Sequence, residues 1–163
     1  MRPSESKILS LRELKSRVGE HQQRGEKVVF ANGCFDILHV GHVRYLEAAR
    51  TTGDVLIVAI NSDSSVRELK GTGRPILDES ARARLIAALR AVDYVVIFSE
   101  SSVEPLLREL RPDVHAKGTD YTAETVPERA VAKELNIRIA IVGDPKNHST
   151  RDMLYALRKG PHA

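Results

Sequence analysis

Two histidines, His39 and His42, stand three residues apart with Gly41 between them, at the point where an apolar run hands over to a helical pattern. Imidazoles at i and i+3 can face one anion together and donate to its oxygens. Gly41 has no Cβ, so a phosphate can approach its backbone. The start of a helix adds unpaired N–H groups and partial positive charge. The pattern points to a phosphate site. Its bland alternative is a helix cap with two surface histidines, and the strand-then-helix context favours the phosphate site.

Three more polar clusters each follow an apolar run: Asn61–Asp63, Lys117–Tyr121 and Asn147–Arg151. The first cluster, Asn32 to His42, opens on the turn signal Asn32-Gly33. If the apolar runs are strands of one parallel sheet, all four clusters meet at one edge.

The elements that must position them can be read in order. Ser10 caps a helix from Leu11 to about Arg24, ended by Gly25. Strands are expected at about Lys27–Ala31, Val55–Ile60, Tyr94–Phe98, Val114–Ala116 and Ile137–Val142. Helices are expected at about Gly41–Thr51, stopped by Gly53, and, after Asn61-Ser62-Asp63, in a short stretch to Lys70. A longer one should span Glu79–Ala91, with Leu85, Ile86 and Leu89 inward. Others should run from Ser101 or Ser102 to Leu110, from Pro127 to Leu135, and from Thr150 to Lys159. Strands alternating with helices predict an α/β parallel sheet, with ligands outside the carboxyl ends of the strands.

A chain of 163 residues suits one domain, with the first helix packed on it. The net charge of +3 fits an anionic small substrate, and 4% aromatics argue against a stacking platform for single-stranded nucleic acid. The single cysteine, Cys34, excludes an internal disulfide and fits a reducing compartment. Cys34 itself reads more simply as a small apolar core residue. No apolar stretch is long enough to span a membrane, so a cytoplasmic protein is expected.

Asn32-Gly33-Cys34-Phe35-Asp36 with His39-Val40-Gly41-His42 resembles the signature of the nucleotidyltransferase family that includes the cytidylyltransferases. The ordered series NGCFDILHVGHVRYLEAAR, VAINSDSSVRELKGTGRPI, ALRAVDYVVIF, RPDVHAKGTDY and HSTRDML is similar to the D-glycero-β-D-manno-heptose 1-phosphate adenylyltransferases. That likeness covers about Lys27 to the C-terminus. It implies a Rossmann-like, doubly wound sheet of five parallel strands in the order 3-2-1-4-5. It implies ATP and heptose 1-phosphate as substrates, ADP-heptose and pyrophosphate as products, and a step in making lipopolysaccharide core sugar. It also implies Mg²⁺ and, from relatives, a homodimer. In many bacteria this activity is fused to a sugar kinase; here it is expected to stand alone.

The resemblance carries roles to matching positions. His39 and His42 would donate to α- and β-phosphate oxygens, and Lys117 and Arg82 would add full positive charge. Asn32, Gly33, Cys34, Phe35, Gly41, Gly118 and Asp120 would hold the nucleotide. Ser149 and Thr150 would hold its β- and γ-phosphates. Asp36, Asp63, Lys70 and Arg74 would lie near the acceptor. No residue is assigned as a direct metal ligand, although Asp36 could reach Mg²⁺ through water. Each has a plainer alternative: a solvated loop for Lys117, Asp63, Lys70 and Arg74; an exposed basic face with Arg84 and Arg90 for Arg82; a simple N-cap for Ser149; an organised turn for Asp36. Arg151 and His148 depart from the family pattern, and their roles stay open.

Three readings are carried forward. One is the heptose phosphate adenylyltransferase. Another is a relative on the same fold, such as a glycerol-3-phosphate cytidylyltransferase or an FAD-forming enzyme. The third is a nucleotide-binding regulatory module without catalysis, against which His39, His42 and Lys117 argue.

Overall fold

The five apolar runs become five strands: β1 (Val28–Gly33), β2 (Val55–Asn61), β3 (Tyr94–Phe98), β4 (Val114–Gly118) and β5 (Arg138–Val142). The computed structural model describes residues 3–145 and 150–159. All strand pairs are parallel, in the order β3-β2-β1-β4-β5. The helices are α1 (Leu11–Gln23), α2 (Val40–Arg50), α3 (Asp63–Lys70), α4 (Glu79–Ala87), α5 (Glu104–Leu110), α6 (Arg129–Glu134) and α7 (Thr150–Lys159). The parallel α/β sheet expected from the alternation of strands and helices, and the Rossmann-like strand order that the resemblance implies, are the ones observed.

Strand side chains alternate between two cores. Val28, Phe30, Ile57, Ala59, Tyr94 and Val96 pack with Leu14 and Val18 of α1, Leu106 and Leu107 of α5, and Val131 of α6. Val29, Ala31, Leu56, Val58 and Val95 pack on the other face with Leu46 of α2 and Ala83 and Ile86 of α4. Both faces are covered, which is why β2 reads as an unbroken apolar run. From β1 the chain winds to β2 and β3 on one side, then crosses to β4 and β5 on the other. The switch falls between β1 and β4, where such sheets form a crevice. Among the described residues no helix is long and apolar enough to cross a membrane.

Some boundaries differ from expectation. Helix α4 stops at Ala87, because Lys7 reaches back and donates to the carbonyls of Leu89 (3.2 Å) and Val92 (2.7 Å), holding them in a turn. Leu85, expected inward, is 43% exposed, while Ile86 is buried and Leu89 packs at the core edge. Strand β4 continues to Gly118, because Lys117 and Gly118 pair with Ile141 and Val142. Helix α5 begins only at Glu104, after the Val103 N-cap, with Pro105 in its first turn.

Gly53 does more than end α2. A Cβ there would lie 2.6 Å from Val29 Cγ2 and 2.8 Å from the Lys27 carbonyl oxygen. That carbonyl is pinned by the amides of Asp54 and Val55, at 2.8 and 3.1 Å. Gly53→Ala should therefore destabilise the fold by about 1–3 kcal/mol, read from the urea midpoint.

Candidate active site

A cleft of about 1040 Å³ opens over the carboxyl ends of β1 and β4. Its size suits a nucleotide together with a second small substrate. Asn32, Gly33, Cys34, Phe35, Asp36, His39, Gly41 and His42 line its centre. Lys70 and Arg74 enter from the β2 side, and Lys117, Gly118 and Asp120 from the β4 side. Thirteen of the seventeen positions singled out in the sequence thus converge on one cavity. Arg82 and Asp63 are not among its walls. Ser149 lies outside the described residues, as does His148, and so do the side chains of Thr150 and Arg151.

The two histidines cap α2 with each other's help. His39 Nδ1 accepts from the Gly41 amide at 3.2 Å, and His42 Nδ1 accepts from the His39 amide at 3.4 Å. With both Nδ1 atoms accepting, the proton of each neutral ring sits on Nε2. The rings stack at 3.8 Å between centroids, and Phe35 meets His42 edge-on at 5.2 Å. Phe35 takes a left-handed φ of 49°, and Gly33 leaves room for its ring, since a Cβ there would lie 3.1 Å from Phe35 Cε2. His42, read in the sequence as an exposed side chain, is half-buried by this packing.

Lys117 is not a solvated loop residue. It lies in β4, one residue before the strand's end, is 6% exposed, and its Nζ donates to Asn32 Oδ1 at 3.1 Å. The same ammonium lies 3.1 Å from Glu128 Oε2, a charge contact outside hydrogen-bond geometry, and 5.3 Å above the Tyr121 ring. Asn32 Oδ1 also meets His115 Nε2 at 3.1 Å. His115 is fully buried, and that burial, with the nearby Lys117 charge, pulls its pKa down to about 3. Tyr45 donates its hydroxyl to the Ala116 carbonyl at 2.8 Å, and burial raises its pKa well above the ordinary tyrosine range.

Asp36 organises its turn. Its Oδ1 accepts from the amides of Ile76 (2.7 Å) and Leu77 (3.1 Å), and its Oδ2 lies 2.7 Å from Arg74 Nε in an ion pair off hydrogen-bond geometry. Asp36 thus ties the 74–77 loop to β1.

Arg82 departs from both of its expectations: it neither joins an exposed basic face nor enters the cleft. It is fully buried, and its guanidinium donates to the carbonyls of Leu77 (2.9 Å), Cys34 (2.7 Å) and Asn61 (2.8 Å) and to Asp63 Oδ1 (2.7 Å). It holds together the ends of β1 and β2 and the loop before α4. Asp63 accordingly faces Arg82 rather than an acceptor. Cys34 lines the cleft but lies half-buried, with burial pushing its thiol pKa up, so it is not poised as a nucleophile.

Sequence reasoning missed His115, Glu128, Tyr45 and Arg44, the last two lining the cleft. One signal was present for His115. It stands two residues before Lys117 in a strand, hence on the same face. Glu128 sits before α6 with nothing in its neighbours to mark it.

Residues 30–155 match the family model described as cytidylyltransferase-like. The chain is 46% identical to the bifunctional protein HldE of Geotalea uraniireducens over 157 residues, which is 96% of this chain and 32% of that protein. It is 47% identical to the protein of the same name from Pseudomonas fluorescens over 156 residues, 96% of this chain and 33% of that protein. The chain therefore spans about a third of the length of these relatives. The solved structure of a lipopolysaccharide core biosynthesis protein from Thermoplasma volcanium superposes with a TM-score of 0.65 at 31% identity, covering 75% of this chain and 100% of that one.

Proposed function

This chain belongs to the cytidylyltransferase-like family, and on that premise we propose that it transfers AMP from ATP to D-glycero-β-D-manno-heptose 1-phosphate. The products are ADP-heptose, for lipopolysaccharide core, and pyrophosphate. One observation carries the proposal: cationic and donor groups flank a single cleft on two sides. His39, His42 and Lys117 gather about the β1/β4 switch, and Lys70 and Arg74 stand on the β2 side. Two phosphate-bearing substrates need two such groupings. The likeness to a lipopolysaccharide core biosynthesis protein supports the choice of acceptor.

In this reading the sugar phosphate is already a nucleophile at neutral pH, so no general base is required. Its oxygen attacks the α-phosphorus in line, the bond from that phosphorus to the bridging oxygen breaks, and pyrophosphate leaves. Catalysis is then positioning and charge stabilisation. The Nε2–H groups of His39 and His42 receive charge building on the α- and β-phosphate oxygens. Lys117 adds a full charge, and entering phosphates compete with Glu128 and Asn32 for it. Lys70 and Arg74 hold the sugar phosphate, while Ser149 and Thr150 hold the far phosphates of ATP. Arg82 and Asp63 serve beneath the cleft.

Mg²⁺ enters this proposal with the nucleotide, as part of the substrate. Among the described residues no group of three or more His, Cys, Asp or Glu is placed to hold a metal ion, and Asp36 spends its carboxylate on Ile76, Leu77 and Arg74. Mg²⁺ commonly arrives on substrate phosphates with its own waters.

The test is pyrophosphate release from a panel of nucleotides and acceptors. ATP with heptose 1-phosphate should be the productive pair. Turnover of CTP with glycerol 3-phosphate instead would move the chain to another branch of the fold, and no turnover with any pair would favour a binding module. The remaining partners in this reading are neither nucleic acid nor membrane, and its compartment is the cytoplasm. Its working unit is a homodimer; a single-chain mass of 18.1 kDa by light scattering at assay concentrations would contradict that.

A further inference from the structure

We propose that His115 is a positioning residue for the cleft: its Nε2–H locks the Asn32 amide in one orientation, and through it the Lys117 ammonium. The inference rests on the adenylyltransferase reading for what the cleft does, and on the following geometry for how.

Lys117 Nζ and His115 Nε2 each lie 3.1 Å from Asn32 Oδ1. An ammonium only donates, so the Asn32 atom facing it is the oxygen. That oxygen only accepts, so His115 must carry its proton on Nε2. Its Nδ1 is then a bare acceptor, and it is buried with no hydrogen-bond partner. The ring is fully buried against Phe30, at 5.6 Å between centroids, within the face that holds the α1, α5 and α6 core. The depressed pKa agrees with a ring that stays neutral at working pH.

A neutral imidazole with an orphaned nitrogen costs the core stability that an aliphatic side chain would not. What it gives in return is one N–H, aimed at a cleft residue. With Oδ1 engaged from below, the Nδ2 donors are the part of Asn32 that a ligand can use. When entering phosphates draw Lys117 away, Asn32 loses one of its two donors, and His115 keeps the amide from turning. Both Lys117 and Asn32 would then meet the phosphates from set positions, and misplacement of such groups by an ångström can cost up to about a hundredfold in rate.

His115→Leu and His115→Gln test this. Leucine fills the space without a donor, whereas glutamine can place an amide N–H near the position of Nε2. Expected for His115→Leu are a melting temperature equal to or above that of the parent protein, a kcat about tenfold lower, and an ATP dissociation constant at least about threefold higher. His115→Gln should bring both constants back to within about threefold of the parent. Nucleotide affinity is read by calorimetry and needs no acceptor. If the parent protein makes no ADP-heptose, the adenylyltransferase reading fails, while the affinity series still decides the role of His115. The proposal is overturned if His115→Leu matches the parent in both constants, if His115→Gln is as impaired as His115→Leu, or if His115→Leu does not fold.

Discussion

His42→Ala should lower turnover by about a hundred- to a thousandfold, the loss typical of removing one preorganised donor from developing charge. The imidazole stands in the first turn of α2, its proton held on Nε2 by the bond from the His39 amide to Nδ1. Folding should suffer less. The substitution removes half of a reciprocal cap, the stacked contact with His39 and the edge contact with Phe35, together about 2 kcal/mol. Turnover and thermal melting measured on the same preparation separate the two effects. Arg24→Ala is the control, since Arg24, just past the end of α1, pairs with Glu26 and with His21 of the last turn and should leave turnover unchanged. If His42→Ala keeps near-full activity, the phosphate role is wrong. If the chain unfolds, the histidine is a structural cap. A fall in kcat with little change in KM for ATP assigns the contact to the transition state rather than to ground-state grip.

Arg82→Ala should act in the opposite way, through stability first. Removing a buried guanidinium leaves three carbonyls and the Asp63 carboxylate without their donor. Breaking a buried charged pair costs about 3–5 kcal/mol, which for a domain of this size lowers the melting temperature by roughly 6–20 °C. Part of the Asp63 side chain reaches solvent, so the carboxylate contributes less to that sum than the three carbonyls do. Activity measured well below the melting temperature should fall only as far as the cleft loosens. A variant with unchanged melting and abolished turnover would return Arg82 to the direct charge role that the resemblance implies.

These two residues show what a sequence makes legible. His39 and His42 announce themselves because their chemistry is local: three residues apart, at a strand-to-helix junction, with a glycine between. The five strands and their parallel sense follow from alternation and apolar runs for the same reason, whereas the strand order came from the family resemblance. Arg82 lies on a helix with Arg84 nearby and Arg90 just beyond, and spacing alone cannot separate the buried arginine from its neighbours. Its four acceptors come from Cys34, Asn61, Asp63 and Leu77, three of them distant in sequence. The same limit governs boundaries. The end of α4 depends on Lys7, more than eighty residues away, and the length of β4 depends on pairing with β5. Lys117 was legible as a candidate cation, but its grip by Asn32, Glu128 and the Tyr121 ring is a product of folding.

The fate of the α-phosphorus tests the central claim most directly. ATP labelled at that atom is mixed with the protein, Mg²⁺ and D-glycero-β-D-manno-heptose 1-phosphate, and the products are separated. Attack at the α-phosphorus predicts that the label appears in ADP-heptose, with one unlabelled pyrophosphate released for each. Label recovered in AMP alone would mean hydrolysis without an acceptor, and label recovered in ADP would mean transfer of the γ-phosphoryl group; either result would contradict adenylyl transfer to the sugar phosphate.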